Sequence, residues 1–112
     1  MVIIYEKLRE AETVVVASPV YFYGISAQLK ALVDRLHTPM RNEFNIKRLG
    51  LILVGAASIP DLFDPIVMQY RMICRFFGLE DIGMVLVSGA REKGDVIQGD
   101  GLKRAYELGA SL

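Results

Sequence analysis

Three short apolar blocks, at 13–17, 49–54 and 82–87, punctuate the chain, and each lies between stretches whose apolar residues recur every three or four positions. This alternation constrains the fold more than any other feature. The blocks are rich in Val, Ile and Leu, with little polar interruption. Each therefore reads as a strand buried on both faces, as in a parallel sheet covered by helices on both sides. The intervening stretches supply those helices. Met1, Ile4, Leu8 and Ala11 share one helical face, and Ile25, Leu29, Leu32, Val33 and Leu36 share a second. Ile66, Val67, Tyr70, Ile73, Cys74 and Phe77 form a third stripe, and Leu102, Ala105, Leu108, Gly109 and Leu112 a fourth. Asp64 and Pro65 suit a helix start, with Asp64 as the cap and Pro65 at the first helical position. Gly78 suits a helix end, and Asp100 reads as the cap of the last helix. Residues 88–100 read as a loop. The order is helix, strand, helix, strand, helix, strand, helix, which predicts a three-layer α/β domain with right-handed crossovers.

The 112 residues are enough for one small domain, 1–112. Thirteen basic and thirteen acidic residues balance, which gives no electrostatic footprint for nucleic acid or for an anionic membrane. No apolar block approaches the roughly 18 residues of a membrane span. No stretch has the layout of a secretory leader, and the expectation is a soluble cytoplasmic protein. Cys74 is the only cysteine, so a single chain holds neither an internal disulfide nor a multi-cysteine metal site.

In a parallel sheet of this kind, ligands sit beyond the carboxyl ends of the strands. That places the loops at 18–24, 55–60 and 88–99 at the candidate site. The first contains Tyr21, Phe22 and Tyr23, three consecutive aromatics just past a strand. They offer flat apolar faces at little entropic cost. Pro19 stiffens the turn, and Gly24 lets the chain pass closely before the next helix, whose first N–H groups are free. Packing beneath a loop is the plainer use of such a cluster. Gly55, Ala56 and Ala57 form a small-residue wall opposite. Arg91, in the third loop, could meet a nucleotide phosphate, although an exposed charged loop is the commoner role. His37 reads as a helix-end residue, Cys74 as a small core hydrophobe, and Met68 and Met72 as packing or interface.

The string SPVYFYGISAQLKALVDR, at 18–35, resembles the flavin-loop signature of the NADPH-dependent FMN reductase family, including its iron–sulfur flavoprotein branch. IYEKLREAETVVVASPVY upstream is similar to that family's approach to the loop, and GAAS and GAREKGD downstream are looser likenesses. The resemblance covers nearly the whole chain, with its sharp motif in the first third. It implies a flavodoxin-like fold and hydride transfer from NAD(P)H to FMN. Ser18, Pro19, Val20, Tyr21, Phe22, Tyr23 and Gly24 would hold the flavin ring, with its pyrimidine edge on the backbone of residues 20–23. Gly55, Ala56 and Ala57 would form the second wall. No catalytic side chain is implied, because the cofactor carries the chemistry. Lys30, Asp34 and Arg35 match the family helix and suggest structural ties.

Against a flavodoxin-like strand order of 2-1-3-4-5, the three blocks correspond to strands 3, 4 and 5. The first βαβ unit, with its phosphate-binding loop, has no counterpart. FMN binding is therefore expected to be weak or lost, and no iron–sulfur cluster is implied. A valine-rich strand at 13–17 without its neighbour is a template for pairing. The expectation is a homo-oligomer through that edge, or a second chain that supplies the missing half. The alternative function is a cofactor-free interaction module with no enzymatic activity.

Overall fold

In the computed structural model, which describes residues 2–112, all three apolar blocks form strands. The expectation for Met1 lies outside the described residues. The order is α1 (Val2–Glu10), β1 (Thr13–Pro19), α2 (Ala27–Asp34), β2 (Arg48–Val54), α3 (Asp64–Phe77), β3 (Glu80–Val87), α4 (Asp95–Gln98) and α5 (Gly101–Ala110). A 3-10 turn at Pro39–Glu43 precedes β2. The strands form one parallel sheet in the order β1-β2-β3. Pro19, Val54 and Val87 stand level at its carboxyl end, so the three following loops open together.

One face of the sheet carries the core. Leu49, Leu51 and Leu53 of β2 meet Ile66, Tyr70 and Cys74 of α3, flanked by Val14 and Val16 of β1 and by Met84 and Leu86 of β3. Leu53 is fully buried. The helical spacing of the α3 residues brings all three onto one line. α1 joins on this side through buried Leu8, and the Tyr5 hydroxyl donates to the Arg35 carbonyl at the end of α2, 2.7 Å away. α2 buries none of its residues fully. An apolar cavity of about 170 Å³ remains between α2, α3 and the sheet, lined by residues such as Leu29, Leu32 and Ile73.

The other face is covered unevenly. α5 follows β3 and lies on it. Gly101 sits so close that a Cβ there would stand 2.7 Å from Val87 Cγ2. Val85 is buried. β1 departs from the expected strand buried on both faces. Val14 and Val16 point into the core, but Val15 is 37% exposed and Ala17 is exposed. The reason is placement: among the described residues, the helix on this side lies over β3.

The element ends show which local signals prevailed. Gly78 takes the left-handed conformation (φ 67°) that closes α3, donating to the Arg75 carbonyl, as its type allows. Asp64 is not the cap of α3. Phe63 occupies that position without a side-chain bond, and Asp64 is the first helical residue, where its charge still suits the helix dipole. Asp100 stands at the cap position of α5, but its carboxylate accepts from Arg104 Nε at 3.0 Å instead of capping the backbone. The loop expected at 88–100 contains the short helix α4.

Beneath the core, the Tyr70 hydroxyl lies 2.6 Å from the Leu49 carbonyl oxygen and 2.9 Å from an Asp81 carboxylate oxygen. That same carboxylate accepts the N–H of Gly83, where β3 bulges at φ 130°. Burial, and then the contact with Asp81, pushes the Tyr70 hydroxyl pKa far up. Burial likewise raises the Cys74 thiol. No helix among the described residues is long and apolar enough to cross a membrane.

Candidate functional site

The strand ends bring the three expected loops to one side of the sheet, and they differ in how firmly they are held. Loop 1 (18–24) begins with a strut. Ser18 is buried, and its Oγ accepts the Ser26 N–H at 2.9 Å while donating to the Pro19 carbonyl. Ser26 in turn caps α2 by accepting from the Leu29 N–H. Two hydroxyls thus fix where the helix starts relative to β1. The Ser18 hydroxyl is engaged inside the protein, and what it does there is position the start of α2. Val20 packs against the core and donates its N–H to the Val54 carbonyl, which leaves that N–H unable to meet a ligand as expected.

The aromatics then form a tight turn. Tyr21 N–H donates to the Gly24 carbonyl at 2.8 Å, and Gly24 N–H returns a bond to Tyr21 at 3.0 Å. Between them Phe22 (φ 47°) and Tyr23 (φ 66°) are both left-handed. Such two-residue turns normally carry Gly, Asn or Asp. A bulky residue held there stores of order 1–3 kcal/mol of strain, and strain of this kind gathers at ligand-binding sites. The rings point outward. Phe22 is 96% exposed, Tyr21 and Tyr23 are also exposed, and Phe22 meets Tyr23 edge-on with centroids 5.7 Å apart. The N–H groups of Phe22 and Tyr23 have no acceptor among the described residues. The turn therefore offers two adjacent donors beside three aromatic faces. No sequence signal gave this geometry, since the residues at its centre are not typical turn formers.

Loops 2 and 3 are knitted to each other. Gly55 N–H donates to the Val87 carbonyl, and its own carbonyl accepts from Ala90. Ala57 accepts from Gly89 N–H, and Ala56 accepts from Arg91 Nε at 3.1 Å. Arg91 and Glu92 donate their own N–H groups to the Asp95 carboxylate, at 3.0 and 2.8 Å. The charged loop is thus a brace folded onto the small-residue wall. Gly55 is small for an internal reason: a Cβ there would lie 2.6 Å from Leu62 Cδ2. Ala56 and Ala57 remain at the surface end of this wall.

The loops make an open platform. The 170 Å³ cavity lies on the α2–α3 side, and none of the proposed flavin residues lines it. The platform fits the ring end of a flavin, with aromatic faces, two free N–H donors and a braced wall. No group of three His, Cys, Asp or Glu residues that could hold a metal occurs among the described residues. His37 lies past α2 with its ring 5.5 Å from Phe76, in an aromatic contact.

The sequence profile described as NADPH-dependent FMN reductase matches residues 3–90. A Bacillus subtilis protein named as an NAD(P)H-dependent FMN-containing oxidoreductase is 27% identical over 103 residues, which are 85% of this chain and 56% of the relative. An iron–sulfur flavoprotein of Archaeoglobus fulgidus is 33% identical over 86 residues, 77% of this chain and 43% of that protein. The chain thus spans about half the length of these curated relatives. Among solved structures, the Trp repressor binding protein of Bacillus subtilis superposes with a TM-score of 0.80 at 27% identity, covering 94% of this chain and 72% of that one. The fold is flavodoxin-like.

Proposed function

Since the chain belongs to the NADPH-dependent FMN reductase family, we propose that it carries the ring-binding side of an FMN-dependent NAD(P)H oxidoreductase. The observation that supports this most is the turn at Tyr21–Gly24. It holds two bulky residues in a strained conformation, exposes their rings and leaves two neighbouring N–H groups without acceptors. Strain held in a turn whose rings and central N–H groups face outward suits a turn completed by a ligand.

On this reading the Phe22 and Tyr23 N–H groups donate to the acceptor edge of the flavin ring, and the aromatic side chains cover its apolar part. Ala56 and Ala57 flank it, held in place by Arg91. Ser18 and Ser26 keep the helix start fixed behind the turn. When bound, FMN supplies the hydride chemistry, and the protein orients the ring and excludes water from one side. Cys74 is free and buried in the core. The competing reading is a cofactor-free interaction module with no enzymatic activity, which the exposed face of β1 at Val15 and Ala17 supports.

The test is a titration with FMN and with riboflavin, followed by flavin fluorescence. The expected result is weak binding with little preference between them, abolished by changing Tyr21 and Phe22 to alanine. A strong preference for FMN would mean that a phosphate site exists on this chain, and the proposal would fail in that part. No binding of either flavin would overturn it entirely.

A further inference from the structure

α2 is pinned at both ends by polar ties. At its start, Ser18 Oγ on β1 accepts the Ser26 N–H at 2.9 Å. At its end, the Tyr5 hydroxyl of α1 donates to the Arg35 carbonyl at 2.7 Å. Leu29, Leu32 and Val33, with Leu36 just beyond the helix, recur at helical spacing and share the side turned toward the sheet. None of them is fully buried. Together with Val16 and Leu51 of the sheet they line the apolar cavity of about 170 Å³. The helix is thus set by its end bonds, and a space remains under its apolar side.

That space suits an organic ring better than water. A buried water needs several polar partners, and an apolar cavity of similar size stays dry yet accepts a benzene-sized molecule. Tyr70 lines the cavity, but its hydroxyl is committed to the Leu49 carbonyl and to Asp81. The other two polar residues of the lining are Arg41 and Gln69. Arg41 is half-buried and Gln69 exposed, which puts both at the rim. Arg41 Nη1 donates to the Thr38 carbonyl at 2.8 Å, and the guanidinium lies 5.6 Å from the centre of the Phe76 ring. Among the described residues no carboxylate pairs with Arg41, and Glu43 is taken by Arg9 at 3.2 Å. A guanidinium has five N–H donors in a fork that matches a carboxylate, so Arg41 keeps donors to spare.

We propose that this cavity is a binding site for a small aromatic monocarboxylate. The ring would lie between Leu32 and Leu51, and the carboxylate would meet Arg41 at the rim, beside the Gln69 amide. The volume sets the size, at one six-membered ring with a short arm. A neutral hydrocarbon fills the space but leaves the cation unmatched. The walls come from residues between 8 and 79, on the α2–α3 side of the sheet. The site is therefore separate from the aromatic turn, and the inference does not depend on the flavin reading.

The test is calorimetric titration of the chain with phenylacetate and with phenylacetamide, its neutral isostere. A phenylacetate Kd at or below about 1 mM is expected for a ligand of this size. The acid should bind about tenfold more tightly than the amide, as one charge-assisted contact at a half-buried site provides. Arg41→Gln should erase that preference and leave the affinity for the amide as it was. Leu32→Trp puts a ring of the chain's own into the space and should weaken both ligands by about tenfold or more. Circular dichroism checks that each variant keeps the parent fold. In the parent chain, magnetisation transfer from the phenylacetate ring to the Leu32 and Leu51 methyls locates the ligand without any substitution. Transfer to those methyls supports the site, and transfer elsewhere overturns it. No binding at about 10 mM phenylacetate overturns the proposal, since that is well above the expected Kd. Equal affinity for acid and amide, or binding that a folded Leu32→Trp leaves intact, does the same. So does binding that weakens as the chain concentration rises, because a second copy then closes the cavity.

Discussion

The two flanks of the sheet are built from similar residues and end up in opposite conditions. At the β3 flank, α5 covers the face, Gly101 lets it approach closely, Arg104 takes up an edge carbonyl, and loops 2 and 3 brace each other. At the β1 flank, Val15 and Ala17 are bare, and loop 1 is held at its base by Ser18, Ser26 and the Val20–Val54 bond while its rings stand in solvent. The difference shows that β-branched content does not decide burial. What decides it is whether a following helix folds back over the strand, and on which side.

The contrast can be tested by substitution. Leu53→Ala, on β2 in the core under α3, should cost about 2–5 kcal/mol in a denaturant melt, whereas Val15→Ala should cost under about 1 kcal/mol. Equal losses would mean that Val15 is buried in solution, and the contrast would collapse. Next in size is Gly101→Val, which forces atoms against Val87 and should destabilise by about 1–3 kcal/mol. A neutral result would show α5 free to move off β3. On the other flank, Phe22→Gly should raise stability by about 0.5–1 kcal/mol, because relief of left-handed strain exceeds the entropy glycine adds to the unfolded chain. It should also weaken flavin binding. Unchanged or lower stability would show the turn to be unstrained.

The smallest effect concerns alkaline pH. Burial holds the Tyr70 hydroxyl and the Cys74 thiol above their ordinary values. Above the ordinary thiol value of 9.0, the unfolded chain has released protons that the folded chain keeps. Their contribution to stability is therefore complete below that pH and declines as the pH rises beyond it. Denaturant midpoints measured upward from pH 8 should fall, and Cys74→Ala should flatten part of the slope. A flat profile in the parent chain would contradict the burial of both groups.

The strands and main helices were legible because long apolar stripes and runs carry a strong period. α4 was not, since four residues cannot show one. Asp64 looked like a cap, yet capping depends on the backbone angle of the preceding turn, which residue type does not dictate. The expectation of β1 buried twice failed because coverage is a property of neighbours and not of the strand. At the site, the motif placed Tyr21, Phe22 and Tyr23 correctly beyond a strand end. Their left-handed backbone was hidden, because aromatic residues rarely adopt it. The bond from Arg91 to Ala56 joins residues 35 positions apart, and no local pattern announces such a contact.

Arg104 has one more consequence, in the arithmetic of assembly. A unit with two open sheet edges can add partners indefinitely and grow into a ribbon. Here the guanidinium sits on the carbonyl that a strand joining β3 would need, while β1 stays open. The two edges of the sheet therefore differ in readiness to accept a strand, and at β3 the difference comes from one side chain reaching back over its own strand.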